Sequence, residues 1–275
     1  MAFKSNGPVV LSLPPFRGVT RSIILTAIVV FFAEVLLTTF VPDTANILLD
    51  HTMLRPSDVL HGMIWQLGTY PFIPDAPVNL LSLAFALLSV WFFGSRLEDD
   101  RGSRWFKEYC LCATVGGAVV ATLLTMALRD RIPGLGPDAR TATLWPLIMG
   151  IMLAYARFYP DEELRLYFVL RLKAKYLVAI YLLVYLAITL IGGGRFSALV
   201  ALTNALCGYA FLQLAPRQGL RFAASERWYG VRNAFYRAKR RRAAKKFEVY
   251  MRGQGKDVHV NPDDKRDSND RRWMN

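Results

Sequence analysis

This sequence predicts an all-α membrane protein, a bundle of six transmembrane helices with an outer interfacial loop and a basic cytoplasmic C-terminal tail. Three observations predict it. Hydrophobic residues make up 53% of the 275 residues, above the roughly 45–50% of soluble proteins, a figure that also counts glycine. They are gathered into runs close to the ~20 apolar residues that one span requires. The net charge of +13 is lopsided: from Arg217 onward there are 17 Lys and Arg against 7 Asp and Glu, a net of +10. The high isoelectric point therefore describes a tail, and no nucleic-acid partner is expected.

The spans follow in order. Ser22–Val41 is the first; it is too long for a signal-peptide core, and no small-residue cleavage site clearly follows it. Val78–Gly94 is the second and the shortest by hydropathy. Trp105–Leu128, Thr141–Tyr159, Lys175–Ile191 and Phe196–Leu214 complete the six. The chain divides accordingly into an N-terminal segment (1–21), a six-span domain (22–215) and a polybasic tail (216–275). The long connection from Val41 to Pro77 carries Trp65, Tyr70 and Phe72 with Pro71, Pro74 and Pro77. Interleaved aromatic and apolar residues suit the headgroup region, so part of Ser57–Tyr70 is expected to form an interfacial helix.

Basic residues in short loops stay in the cytoplasm. Lys4, Arg17 and Arg21 precede span one; Arg96, Arg101 and Arg104 follow span two; Arg165, Arg171, Lys173 and Lys175 follow span four. The opposite connections hold Arg55, then Arg129, Arg131 and Arg140, then Arg195. Both termini are expected in the cytoplasm, of a bacterial inner membrane. Cys110, Cys112 and Cys207 lie inside spans. Cys110 and Cys112 stand about 200° apart on a helix, so the three read as buried small hydrophobes. No cofactor or metal is expected.

Three motifs carry a family resemblance. One is His61-Gly-Met-Ile-Trp65-Gln66-Leu-Gly-Thr69-Tyr-Pro-Phe72. The second is Val90-Trp-Phe-Phe-Gly94-Ser-Arg96-Leu-Glu98, with Gly102 beyond it. The third is Gly150-x-x-x-Ala154-Tyr-Ala156, ending at Pro160. In order and spacing they resemble the first outer loop, the end of span two and the fourth span of the rhomboid family of intramembrane serine proteases. The resemblance covers roughly residues 20–215.

It also implies where catalytic groups would stand, and this chain departs from the pattern at each of them. The nucleophilic serine, five residues before the glycine matched to Gly150, is Trp145, flanked by Thr143 and Pro146 where active members have glycines. The histidine base, seven residues before Gly208, is Ala201. The histidine and asparagine that help hold the oxyanion, twelve and eight residues before Gly94, are Ser82 and Ala86. No change of register restores a dyad: no serine occurs between Ser103 and Ser197, and no histidine between His61 and His259. A serine nucleophile needs its base within about 3 Å. Tryptophan is large enough to fill a cavity, and proline deletes a backbone donor near the start of span four.

Small residues survive around the lost site. Gly150 and Ala154 lie on one face of span four, and Ala201, Ala205 and Gly208 on one face of span six, a spacing that lets helices approach closely in lipid. Glu34 is the acidic residue deepest in a span and is expected near the outer interface, hydrogen-bonded to a loop. Asn204 is expected to bond to a neighbouring helix. In the tail, Arg237, Lys239, Arg240, Arg241, Arg242, Lys245 and Lys246 form a juxtamembrane polybasic stretch suited to anionic lipid headgroups.

The functional expectation is a catalytically deficient rhomboid-like pseudoprotease. It would bind transmembrane helices of client proteins, or other membrane partners, without cutting them. Two alternatives are an active intramembrane endopeptidase with an unconventional catalyst, and a small transporter or channel.

Overall fold

A computed structural model of the chain describes residues 14–74, 80–129, 131–132, 134–166 and 170–214, with scattered positions between 229 and 254. The chain divides into two units, Met1–Gly219 and Leu220–Asn275. In the first, helix α1 (Gly18–Phe40) is followed by α2 (Pro42–Thr52), α3 (Pro56–Leu60), α4 (Gln66–Thr69) and a 3₁₀ turn, Tyr70–Phe72. Two long helices come next, α5 (Leu80–Arg101) and α6 (Ser103–Leu128), each widened by a π turn, at Val90–Gly94 and Cys112–Gly116. Then come α7 (Trp145–Phe158), an antiparallel hairpin of β1 (Glu163–Leu166) and β2 (Leu170–Lys173), α8 (Ala174–Ile191) and α9 (Arg195–Leu214).

The protein is an all-α integral membrane protein apart from that hairpin. Among the described residues five helices are long and apolar enough to cross a membrane: α1, α5, α6, α8 and α9. The expected count was six. The difference lies at α7, which has 14 residues, a length of about 21 Å against a hydrocarbon core of about 30 Å. Hydropathy places the start of this span at Thr141, but the backbone there is occupied. Leu54 and Thr141 exchange N–H···O bonds of 3.0 and 3.1 Å, and the Thr143 N–H donates to the Tyr70 carbonyl at 3.1 Å. Residues paired across two loops cannot also start a helix, so α7 begins four residues later, with Pro146 in its first turn, where a missing N–H costs nothing. The span expected to be shortest, the second, is instead a helix of 22 residues.

The 41–77 connection is also more regular than expected. Its longest helix, α2, lies before the predicted interfacial stretch, started by Pro42 right after α1 ends. Within Ser57–Tyr70 only the short α3 and α4 form. One core cluster gathers Leu54 and Tyr70 from this connection, Leu135 from the 129–144 loop, and Phe196, Leu199 and Val200 from α9. Near the other end of the bundle, Trp105 stacks on Tyr109 at 5.4 Å and meets Phe211 edge-on at 5.7 Å. The hairpin, absent from the hydropathy reading, occupies the loop after α7, with Lys175 and Lys173 bonded to Asp161 at 2.9 and 3.3 Å.

Candidate functional site

The start of α7 brings together two of the four positions that the rhomboid resemblance matches to catalytic groups. The Trp145 indole Nε1–H donates to the Ser82 hydroxyl of α5 at 3.3 Å. The ring is thus turned inward across the α5–α7 boundary and partly buried. Ala86, one turn along α5, is 3% exposed, and Ala201 of α9 is fully buried. Pro146 is buried beside Trp145. The position matched to the nucleophile therefore holds a hydrogen-bonded aromatic ring, and the position matched to the base holds a methyl group.

Behind this lies a seam of small residues. Among the described residues, α9 makes the two most extensive helix–helix interfaces, with α6 and with α7. Ala154 and Ala205 are buried in the latter. The seam includes a third helix that sequence reasoning missed. The Tyr109 hydroxyl of α6 donates to the Gly150 carbonyl at 2.5 Å, and a Cβ on Gly208 would stand 2.5 Å from the same oxygen. Gly150 and Gly208 thus make room for one tyrosine between them. A Cβ on Gly117 would run into the side chain and backbone of Asn204. Both glycines and Tyr109 are visible in the sequence, but nothing there pairs α6 with positions 40 to 100 residues away.

Asn204 is fully buried. Its Nδ2 donates to the Tyr70 hydroxyl at 2.9 Å, so its side-chain partner is the outer connection rather than a neighbouring spanning helix. Tyr70 in turn accepts the Thr143 N–H through its carbonyl. One chain of bonds therefore links α9, the outer connection and the segment leading into α7.

The residues that carry the rhomboid resemblance make structural contacts. Gln66 is fully buried. Its Oε1 accepts the Arg55 N–H at 3.0 Å, and its Nε2 reaches the His51 carbonyl and Asp58, each at 3.3 Å. The Trp65 indole donates to the same carbonyl at 3.0 Å. Glu98 receives the first N–H groups of α1: Val19 donates to Oε1 at 2.7 Å and Thr20 to Oε2 at 2.8 Å. A carboxylate there satisfies donors that a helix start leaves open and complements its dipole. Gly18 has φ +65° and lies against the Glu98 carboxylate; a Cβ on Gly94 would meet Thr20 and Phe106 at 3.2 Å. Arg96 lies over the Tyr159 ring at 5.4 Å, and Gly102, at φ +85°, makes the turn into α6. Glu34 is buried, and its Oε2 has no hydrogen-bond partner among the described residues; this oxygen does not make the expected bond to a loop.

A second feature joins serine, histidine and acid beside α2. An open cleft of about 810 Å³ is lined by Asp50, His51, Arg140 and Ser197, among others. The groups are committed elsewhere. His51 Nδ1–H bonds the Ile47 carbonyl of its own helix at 2.7 Å. The Asp50 carboxylate is held by Arg55 and, at 3.1 Å, by Arg140. A triad needs the acid on the histidine, so this set lacks its defining contact. Of the polybasic stretch, Arg237 and Lys239 are described, both helical and exposed; Arg240, Arg241, Arg242, Lys245 and Lys246 lie outside the described residues.

A family model described as eukaryotic integral membrane protein (DUF1751) matches residues 21–243. No curated protein matches the chain. The eukaryotic description overturns the bacterial inner membrane expected from the sequence. Charge bias reports sidedness in any such membrane and carries no information on the kind of cell.

Proposed function

The chain belongs to the eukaryotic integral membrane protein family DUF1751, and from that premise we propose that it is a rhomboid-like pseudoprotease that holds transmembrane helices of other proteins without cutting them. The observation that carries this reading is the Trp145–Ser82 hydrogen bond. It places a large side chain, anchored at its polar end, at the position the rhomboid resemblance assigns to the nucleophile. The retained small-residue seam and the Glu98 cap support a scaffold kept for a purpose other than hydrolysis.

On this reading the bundle has six spans, α7 being a short one enclosed by its neighbours, with both termini in the cytoplasm. The contact surface is the lipid-facing gap between α5 and α8. Their exposed apolar residues include Leu81, Phe85 and Leu88 on one side and Ile180, Leu183 and Leu190 on the other. The tail, including Arg237 and Lys239, rests on anionic headgroups.

The test combines two measurements on the full chain in membranes. A photocrosslinking residue at Phe85 or Leu183 is expected to capture transmembrane proteins, and one at exposed Leu123 of α6 to capture far fewer. A serine-directed fluorophosphonate probe is expected to leave the protein unlabelled. Cleavage of a transmembrane substrate, abolished by a single substitution in the bundle core, would overturn the proposal.

A further inference from the structure

A second cleft, of about 190 Å³, lies on the other side of the bundle, between α1, α6 and the outer connection. Its long wall is α6, from Lys107 through Leu111 to Val115. Eight helical residues span about 12 Å, less than half of a ~30 Å hydrocarbon core. The cleft is therefore one leaflet deep. One end lies near the start of α6 and the first turns of α1, where Val19 and Ile23 line it. The other end is closed by Pro71 and Phe72 of the outer connection, which dips into the bundle here. Leu111 is 54% exposed, and Gly68 beside it is exposed as well, so the cleft opens sideways toward lipid.

Shape and chemistry together select the occupant. A transmembrane helix is about 10–12 Å across and does not enter such a cleft; a single hydrocarbon chain does. Apart from Lys107 and Thr114 the lining residues carry no polar side chain. Lys107 stands at the surface end, exposed, and makes no ion pair among the described residues. An ammonium at the membrane surface with an apolar channel leading inward from it matches an anionic phospholipid, phosphate outside and acyl chain inside. We propose that this cleft is a specific phospholipid site. It takes one acyl chain from the leaflet adjoining the N-terminal segment and holds the headgroup phosphate on Lys107. The site is separate from the α5–α8 surface and does not rest on the pseudoprotease reading.

The experiment is native mass spectrometry of the full chain extracted from bilayers of equal phosphatidylserine and phosphatidylcholine. The wild type is expected to retain one phospholipid, with phosphatidylserine favoured about fivefold, the effect of one cation at an anionic surface. Gly68 lines the cleft and a Cβ there meets nothing within 4 Å, so Gly68→Leu adds bulk at the cleft where the backbone has room for a side chain and is expected to lower retention several-fold. Lys107→Gln is expected to keep the lipid and lose the headgroup preference. Leu206→Trp, at an exposed position of α9, is the control and leaves both unchanged. Equal retention in Gly68→Leu and wild type overturns the proposal. So does an unaltered preference in Lys107→Gln, or a loss in Leu206→Trp as large as in Gly68→Leu, which would mark the lipid as a general coat.

Discussion

Helices α8 and α9 are of similar length and adjacent in the chain, yet they occupy opposite environments. Over its most apolar stretch, 56% of α9 is buried but only 22% of α8. α9 carries Ala198, Ala201, Ala205 and Gly208 on its buried surface, and its one buried amide, Asn204, is bonded through Nδ2. α8 shows Leu183, Leu186, Leu190 and Ile191 to the outside. Between helices in lipid, apolar bulk gives little drive to associate because the solvent is equally apolar; close approach of small residues and a few hydrogen bonds does. The α6–α7–α9 group is held by fit, whereas α8 sits at the edge with its bulk turned outward.

The sharpest way to break this contrast is a side chain in the seam. Gly117→Leu would drive carbon into the Asn204 backbone, where a Cβ already stands 2.6 Å from Cα. Overpacking typically costs about 1–3 kcal/mol, and more where backbone is struck, and the expected outcome is loss of monodisperse protein on size exclusion. The neighbouring Gly116→Ala meets Cys207 Sγ at 3.5 Å, an ordinary contact, and is expected to behave as wild type. Next in size is Glu98→Ala, which strips two donors at the start of α1 of their carboxylate. Hydrogen bonds to a charged group are worth about 2 kcal/mol each. A clear fall in thermal midpoint is expected, with Glu98→Gln losing less.

A smaller effect tests the link between α9 and the outer connection. Tyr70→Phe and Asn204→Leu are expected to show a coupling of about 1 kcal/mol in a double-mutant cycle read by reversible unfolding, the range of buried polar pairs in membrane proteins. Additive effects would mean that the two groups stabilise independently. On the exposed side, Leu183→Ala is expected to change stability by no more than about 0.5 kcal/mol while reducing crosslinked partners; a large fall in stability would place α8 inside the packed group. The smallest effect belongs to the hairpin base. Lys175, with Lys173, holds the Asp161 carboxyl below its ordinary range, so its contribution is present above the unfolded value of about 3.9. It is lost only as pH falls through the lower folded value. Asp161→Asn is therefore expected to match wild type thermally in high salt and to differ slightly at low salt and neutral pH.

Much of the architecture was legible because hydropathy is local. Five of the expected spans correspond to five long apolar helices. The beginning of α7 was not legible, because it depends on Leu54 and Tyr70, far upstream, taking up the backbone of Thr141 and Thr143. The hairpin was missed because Leu and Arg alternate over only a few residues. At the candidate site, the absence of serine and histidine from the middle of the chain was plain in the sequence. That Trp145 turns toward Ser82 was not, since a ring at the first turn of a helix can face lipid or protein with the same residues around it. Tyr109, the residue that fills the seam, gave no signal of its own: a tyrosine in an apolar run looks the same wherever it points.

By itself the sequence determined that this is a multi-span helical membrane protein with a basic tail. It also determined that no serine–histidine pair can form among its spans, because composition and periodicity set both irrespective of partners. Tertiary structure alone decided which helices pack, where α7 begins, and what occupies the position matched to the nucleophile. Each of these depends on contacts between residues dozens of positions apart. Where a Cβ is tolerated, which carbonyl a hydroxyl finds and which way an indole turns are properties of the neighbours, and a linear sequence does not state its neighbours.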